Sequence, residues 1–110
     1  MSRKINAITK RAGCPPRSVT VANTLENFQK HVGGYIETVT YEICGKTFVI
    51  ICNEEGVWLD LPDNCIIDGI KFRGDIVIVG ADLNTGEFTD LPCSFQEAKK
   101  WMPGLWEVEA

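Results

Sequence analysis

The chain has 110 residues, 45% of them apolar and 24% charged, with a net charge of −4. These values fit one globular core and exclude a disordered chain, a collagen-like repeat and a disulfide-held miniprotein. The acidic balance argues against a dedicated nucleic-acid binder, which carries a basic surplus.

No apolar run approaches the roughly 18 residues of a membrane-crossing helix. The longest, Phe48 to Cys52, has the length of a strand. The N-terminus is basic but has no continuous apolar stretch, so no export signal is expected. Cys14, Cys44, Cys52, Cys65 and Cys93 are odd in number and contain no CxxC. Free thiols in a reducing compartment are the expectation. Charge is unevenly placed. Arg3, Lys4, Lys10, Arg11 and Arg17 give residues 1–17 a charge of +5 with no acid, which leaves −9 for the remainder. A basic segment on an acidic body is a real asymmetry, although a first strand with solvated cations would produce the same pattern.

Residues 5–10 alternate and predict a short strand, ended by Ala12-Gly13-Cys14-Pro15-Pro16. Ser18 to Val21 is β-branched and predicts a second. Asn23 and Glu26 have capping-box spacing, with Asn23 as the expected N-cap of a helix over 24–32. Leu25, Phe28 and Val32 form its apolar stripe, and Gly33-Gly34 stops it. Residues 35–43 alternate as a half-buried strand, and Thr47 to Cys52 is apolar on both parities, as in a central strand. Asn53 to Gly56 predicts a turn, with Val57-Trp58-Leu59 returning as the partner strand. Ile66 to Phe72 reads as a loop or short strand, Ile76 to Gly80 as a strong strand, and Glu87 to Leu91 as a short edge strand. Ser94 and Glu97 form a second capping box, opening a helix over 95–101. Leu105 to Val108 reads as an extended tail. The expected fold is α+β: a mostly antiparallel sheet of five to seven short strands, with a main helix on one face and a short C-terminal helix. The whole of residues 1–110 reads as a single domain with a basic N-terminal segment over 1–17.

No catalytic constellation stands out. The cysteine gaps of 30, 8, 13 and 28 residues, with His31 as the one histidine, lack the close pairs of a zinc site. His31 ends a helix, where the dipole favours it as an ordinary polar residue rather than the partner of a thiol nucleophile. No metal, no cofactor and no enzymatic activity are expected. Two kinds of surface residue remain. Glu54, Glu55, Asp60, Asp63 and Asp68 suit turn and strand-end positions, yet on one edge they would form an acidic face that mimics phosphates. Trp101 and Trp106 either pack the C-terminal segment onto the sheet or form an exposed hot spot.

Several blocks together resemble a known family. They are Asn23-Thr24-Leu25-Glu26, Val32-Gly33-Gly34-Tyr35-Ile36-Glu37, Asn53-Glu54-Glu55-Gly56, Leu61-Pro62-Asp63-Asn64-Cys65 and Gly74-Asp75-Ile76-Val77-Ile78-Val79-Gly80. The chain, from about Ile5 onward, is similar to the phage and mobile-element family known as domain of unknown function 3846. Ile67-Asp68-Gly69 stands where many members carry a second Cys before the Gly, which weakens any cysteine site near Cys65. The resemblance implies a setting among accessory genes, hence the cytoplasm of a bacterial host cell.

Within that setting the leading expectation is a non-enzymatic inhibitor of a host-defence nuclease, of the anti-CRISPR type acting on a Cas9-like effector. Its acidic and aromatic residues (Glu54, Glu55, Asp60, Asp63, Asp68, Trp101 and Trp106) would occupy the effector's basic channel. One alternative is a small-molecule or nucleotide-binding accessory module with a pocket between helix and sheet. Another is a DNA-associated accessory of element replication or transfer, contacting nucleic acid through Arg3, Lys4, Lys10, Arg11 and Arg17.

Overall fold

Apolar patterning on both parities of a strand requires cover on both faces of the sheet. The computed structural model, which describes residues 3–107, has that cover. In chain order its elements are β1 (Lys4–Lys10), β2 (Arg17–Ala22), α1 (Leu25–Val32), β3 (Ile36–Ile43), β4 (Lys46–Asn53), β5 (Asp63–Ile67), β6 (Ile70–Arg73), β7 (Ile76–Ala81), β8 (Phe88–Thr89) and α2 (Phe95–Trp101), followed by a 3-10 turn over Pro103–Leu105. The main sheet runs β2-β1-β7-β4-β3, with β8 also on β7, and β5 and β6 form a separate hairpin. Every pairing is antiparallel.

The strict two-residue alternation of β4 and β7 sorts their side chains between two cores. Val49, Ile51, Val77 and Val79 join Ile5, Ala7 and Val21 beneath Phe28 and Val32 of α1. Phe48, Ile50, Ile76 and Ile78 face the opposite way. They pack with Cys65, Ile67 and Phe72 of the β5–β6 hairpin and with Ala98, Met102 and Leu105 at the C-terminus. The sheet is therefore the middle of three layers, not an open sheet with one covered face. The second cover comes from residues 63–73, whose short apolar stretches carry too little periodicity to declare a hairpin. Its turn, Asp68-Gly69, takes left-handed φ at both residues (50° and 80°), the geometry of a two-residue hairpin loop.

The helix over 24–32 is present with its first turn shifted by one residue. Its N-cap is Thr24, whose Oγ1 accepts from the Asn27 N–H at 3.2 Å. Asn23 instead donates from its side chain to the Phe88 carbonyl at 2.9 Å, tying the helix entry to β8. Phe28 and Val32 are buried, whereas Leu25, expected in the stripe, is 58% exposed because it lies in the first turn, beyond the sheet's reach. At the other end Gly33, not Gly34, holds the left-handed conformation. The second capping box is complete: Ser94 Oγ accepts from Glu97 N–H while the Glu97 carboxylate accepts from Ser94 N–H. The segment after α2 is not extended. It closes into the 3-10 turn and buries Leu105; Val108 lies outside the described residues.

Candidate functional site

The largest departure from the sequence pattern lies just after β4. Residues 54–60 form consecutive turns instead of a return strand. The cause is that both neighbours of β4 in the sheet are supplied from elsewhere, by β3 and β7, so Val57-Trp58-Leu59 finds no partner edge. The backbone bonds to itself instead. Leu59 N–H donates to Glu55 O at 2.8 Å, Asp60 N–H to Val57 O at 3.1 Å and Leu61 N–H to Gly56 O at 3.0 Å. Asp60 takes a left-handed φ of 50° at the end of this coil.

Two anchors hold the turn. Asn53, buried at the end of β4, accepts from Glu55 N–H at 2.7 Å through Oδ1 and donates from Nδ2 to the Val32 carbonyl at 3.0 Å. It thus joins the turn's first residues to the last turn of α1. On the far side Arg73 of β6 lies between two carboxylates, 3.7 Å from Asp60 and 3.7 Å from Asp63. Between these anchors Val57, Trp58 and Leu59 project outward, and Trp58 is 89% exposed. Tyr35, also exposed, belongs to the same end of the sheet, since its carbonyl accepts from Glu54 N–H at 2.9 Å. A groove of about 160 Å³ runs beside the turn, with Val39, Val57 and Ile70 among its lining residues.

The candidate acidic residues divide. Glu54 and Glu55 are exposed at the base of the turn and Asp60 at its end. Asp63 is occupied by Arg73 and by Lys71, whose Nζ lies 3.4 Å away. Asp68 sits in the β5–β6 turn at the opposite end of that hairpin, about 16 Å away by strand rise. Glu54, Glu55 and Asp60 therefore share one locus with Trp58, and Asp68 does not. Trp101 and Trp106 are half-buried. Trp106 packs at 5.4 Å against Phe95, and Lys100 Nζ stands 5.1 Å from the Trp101 ring. The indole N–H of Trp101 is buried and finds no acceptor among the described residues.

The basic residues divide as well. Arg3 approaches Asp90 at 3.9 Å, and Lys4 is exposed beside it at the start of β1. Lys10 is buried at the far end of β1, where its ammonium donates to Asn64 Oδ1 at 2.8 Å and Asn64 O at 3.2 Å. It is a structural cation rather than a surface contact. Arg11 approaches Asp75 at 4.0 Å, and Arg17 is exposed at the start of β2. No cluster of three or more His, Cys, Asp or Glu residues among the described ones is arranged to hold a metal. The thiols of Cys52 and Cys65 are pushed up to about 11, both first by burial, with Glu37 adding to the effect at Cys52 and Lys10 opposing it at Cys65. Neither is a nucleophile at neutral pH.

Trp58 is the residue that sequence reasoning passed over. The available signal was an apolar triplet framed by Glu54, Glu55 and Asp60, but the turn expected over Asn53 to Gly56 assigned it to a returning partner strand. The family model described as domain of unknown function (DUF3846) matches residues 5–102. No curated protein and no solved structure matches the chain.

Proposed function

Because the chain belongs to the DUF3846 family, whose description assigns no chemistry, we propose a function from its surface: a non-enzymatic protein-binding module that inhibits a host-defence nuclease, with the turn over residues 54–60 as the contact. The observation that carries this reading is the outward projection of Val57, Trp58 and Leu59 from a turn held by its own backbone hydrogen bonds, Leu59 to Glu55, Asp60 to Val57 and Leu61 to Gly56. Leaving large apolar side chains in water forgoes about 1.5–3 kcal/mol for each that a partner would bury. Because the turn is preformed, its backbone loses little further entropy on docking. A Trp at the centre of such a contact is the residue type most enriched in binding hot spots.

The carboxylates of Glu54, Glu55 and Asp60 give the apolar triplet an acidic rim. That combination fits a groove with an apolar floor and basic walls. The nucleic-acid channel of a Cas9-type effector, in the cytoplasm of a bacterial host, supplies the basic walls. Complementary charge would speed the encounter and the aromatic anchor would slow release. In this reading the protein carries out no reaction, and its effect is to deny the channel to its substrate.

The test is plasmid survival in cells carrying a programmed Cas9-type nuclease, with wild-type protein beside the Trp58→Ala variant. Wild type is expected to restore survival and Trp58→Ala to abolish the protection with an unchanged melting temperature. Killing undiminished by well-expressed wild type removes this effector as the target. Equal protection by Trp58→Ala moves the contact away from the turn.

A further inference from the structure

A chain with a net charge of −4 nevertheless brings cations together at one place. The β1–β2 connection and the last turn of α1 enclose an open cleft of about 700 Å³. Arg11 comes from the connection, Arg17 from the start of β2, and Lys30 and His31 from α1. Lys10, 4% exposed, also lines it. Against these stands one carboxylate, Asp75, which accepts from Ala12 N–H at 3.0 Å and faces Arg11 at 4.0 Å. Arg17 and Lys30 enter no ion pair among the described residues.

We propose that this cleft is a binding site for a phosphate-bearing small molecule, separate from the protein contact at the 54–60 turn. The two ends of the β1–β2 connection and the last turn of α1 bring their cations to one concavity, as multidentate recognition of a phosphoryl group requires. Arginines supply forked donors, and Lys30 a mobile point charge. Like charges that outnumber their one counter-ion, Asp75, raise the free energy of the empty cleft, and an anion relieves that repulsion. The volume falls within the range of small-molecule sites, roughly 300–1,000 Å³.

The arrangement favours a small anion over a nucleic-acid backbone. A strand of DNA or RNA needs a continuous basic track. Here Arg3 and Lys4 lie at the opposite end of β1 from Lys10, about 20 Å away by strand rise, and Arg3 is turned toward Asp90.

The experiment is an NMR titration of the full chain with sodium tripolyphosphate, with ATP in the absence of metal, and with a short DNA duplex, all at low salt. Tripolyphosphate is expected to shift the backbone resonances of Arg11, Arg17, Lys30 and His31. The Arg17→Gln/Lys30→Gln double variant should weaken binding at least about tenfold, and added salt should weaken it in wild type. Arg17→Glu, a single exposed change, serves the same purpose if the double variant folds poorly. ATP binding well above tripolyphosphate would identify a nucleotide, and equal binding the phosphate chain alone; both uphold the site. Absence of shifts in the cleft, unaltered binding by the variants, or binding of the duplex alone overturns it. Trp58→Ala should bind tripolyphosphate as wild type does, so failure of the protein-contact reading leaves this result untouched.

Discussion

Lys10 and Asn64 hold each other reciprocally across two layers of the fold. The Lys10 ammonium donates to the side-chain and main-chain oxygens of Asn64, while Asn64 Nδ2 donates back to the Lys10 carbonyl at 2.8 Å and to Gly74 O at 2.7 Å. The main sheet and the β5–β6 hairpin share no ladder, so this pair ties β1 to β5 through side chains.

The pair predicts an asymmetry between its partners. Asn64→Ala leaves a buried ammonium and two carbonyls without their amide partner, at a cost of about 2–4 kcal/mol. Lys10→Met removes the charge together with its need for acceptors and should cost less. Urea denaturation of both variants measures the difference. Equal losses would mean that packing, and not charge satisfaction, dominates the site.

Phe28 fills the core beneath α1 at 1% exposure and meets Phe88 edge-on at 5.5 Å. Phe28→Ala should lower stability by about 3–5 kcal/mol through lost transfer energy and a cavity. Leu25→Ala, on the same helix but exposed, should stay within about 0.5 kcal/mol. Thermal melts of the two variants check whether the helix is seated as described.

Two glycines separate backbone strain from crowding. Gly33 has a φ of 79° and nothing within 4 Å of the position a Cβ would take. Gly33→Ala should therefore cost only the left-handed strain, about 1–2 kcal/mol. Gly74 has a φ of 74°, and a Cβ there would lie 2.8 Å from Leu61 Cδ1. Gly74→Ala should cost only slightly more than Gly33→Ala, because the flexible end of the Leu61 side chain must also shift aside. Chemical denaturation of both variants tests the order.

The buried thiols set a limit on alkaline stability. Cys52 and Cys65 ionise near pH 11 in the folded chain, against 9.0 for an unburied thiol. The neutral thiol is the form that folding favours, so the stability these groups contribute is full below pH 9 and is lost as pH rises from 9 to 11. Each group accounts for about 2–3 kcal/mol of that loss by linkage. Denaturation curves at pH 8 and pH 11 should differ accordingly, and replacing both cysteines by Ala should flatten the difference. At pH 8 a thiol reagent should label the exposed Cys14 and Cys44 well before Cys52 and Cys65.

Much of this protein was legible from short-range chemistry. The capping box at Ser94 and Glu97, the glycine stop after α1, and the unbroken apolar runs of β4 and β7 each depend on residues within a few positions of one another. Local sterics and hydrogen bonding decide such features wherever the chain goes next. The tertiary structure alone decided which apolar residues have a partner. Val57-Trp58-Leu59 has the composition of a strand but stands in water, because β3 and β7 already occupy both edges of β4. Lys10 reads as a surface cation but is buried, because β5, more than fifty residues later, supplies Asn64 above it. Arg17 and Lys30 line one cleft because β2 begins and α1 ends on the same side of the molecule. Periodicity records how much of a segment prefers burial; which segments cover it is set by edge occupancy and packing between residues far apart in the chain.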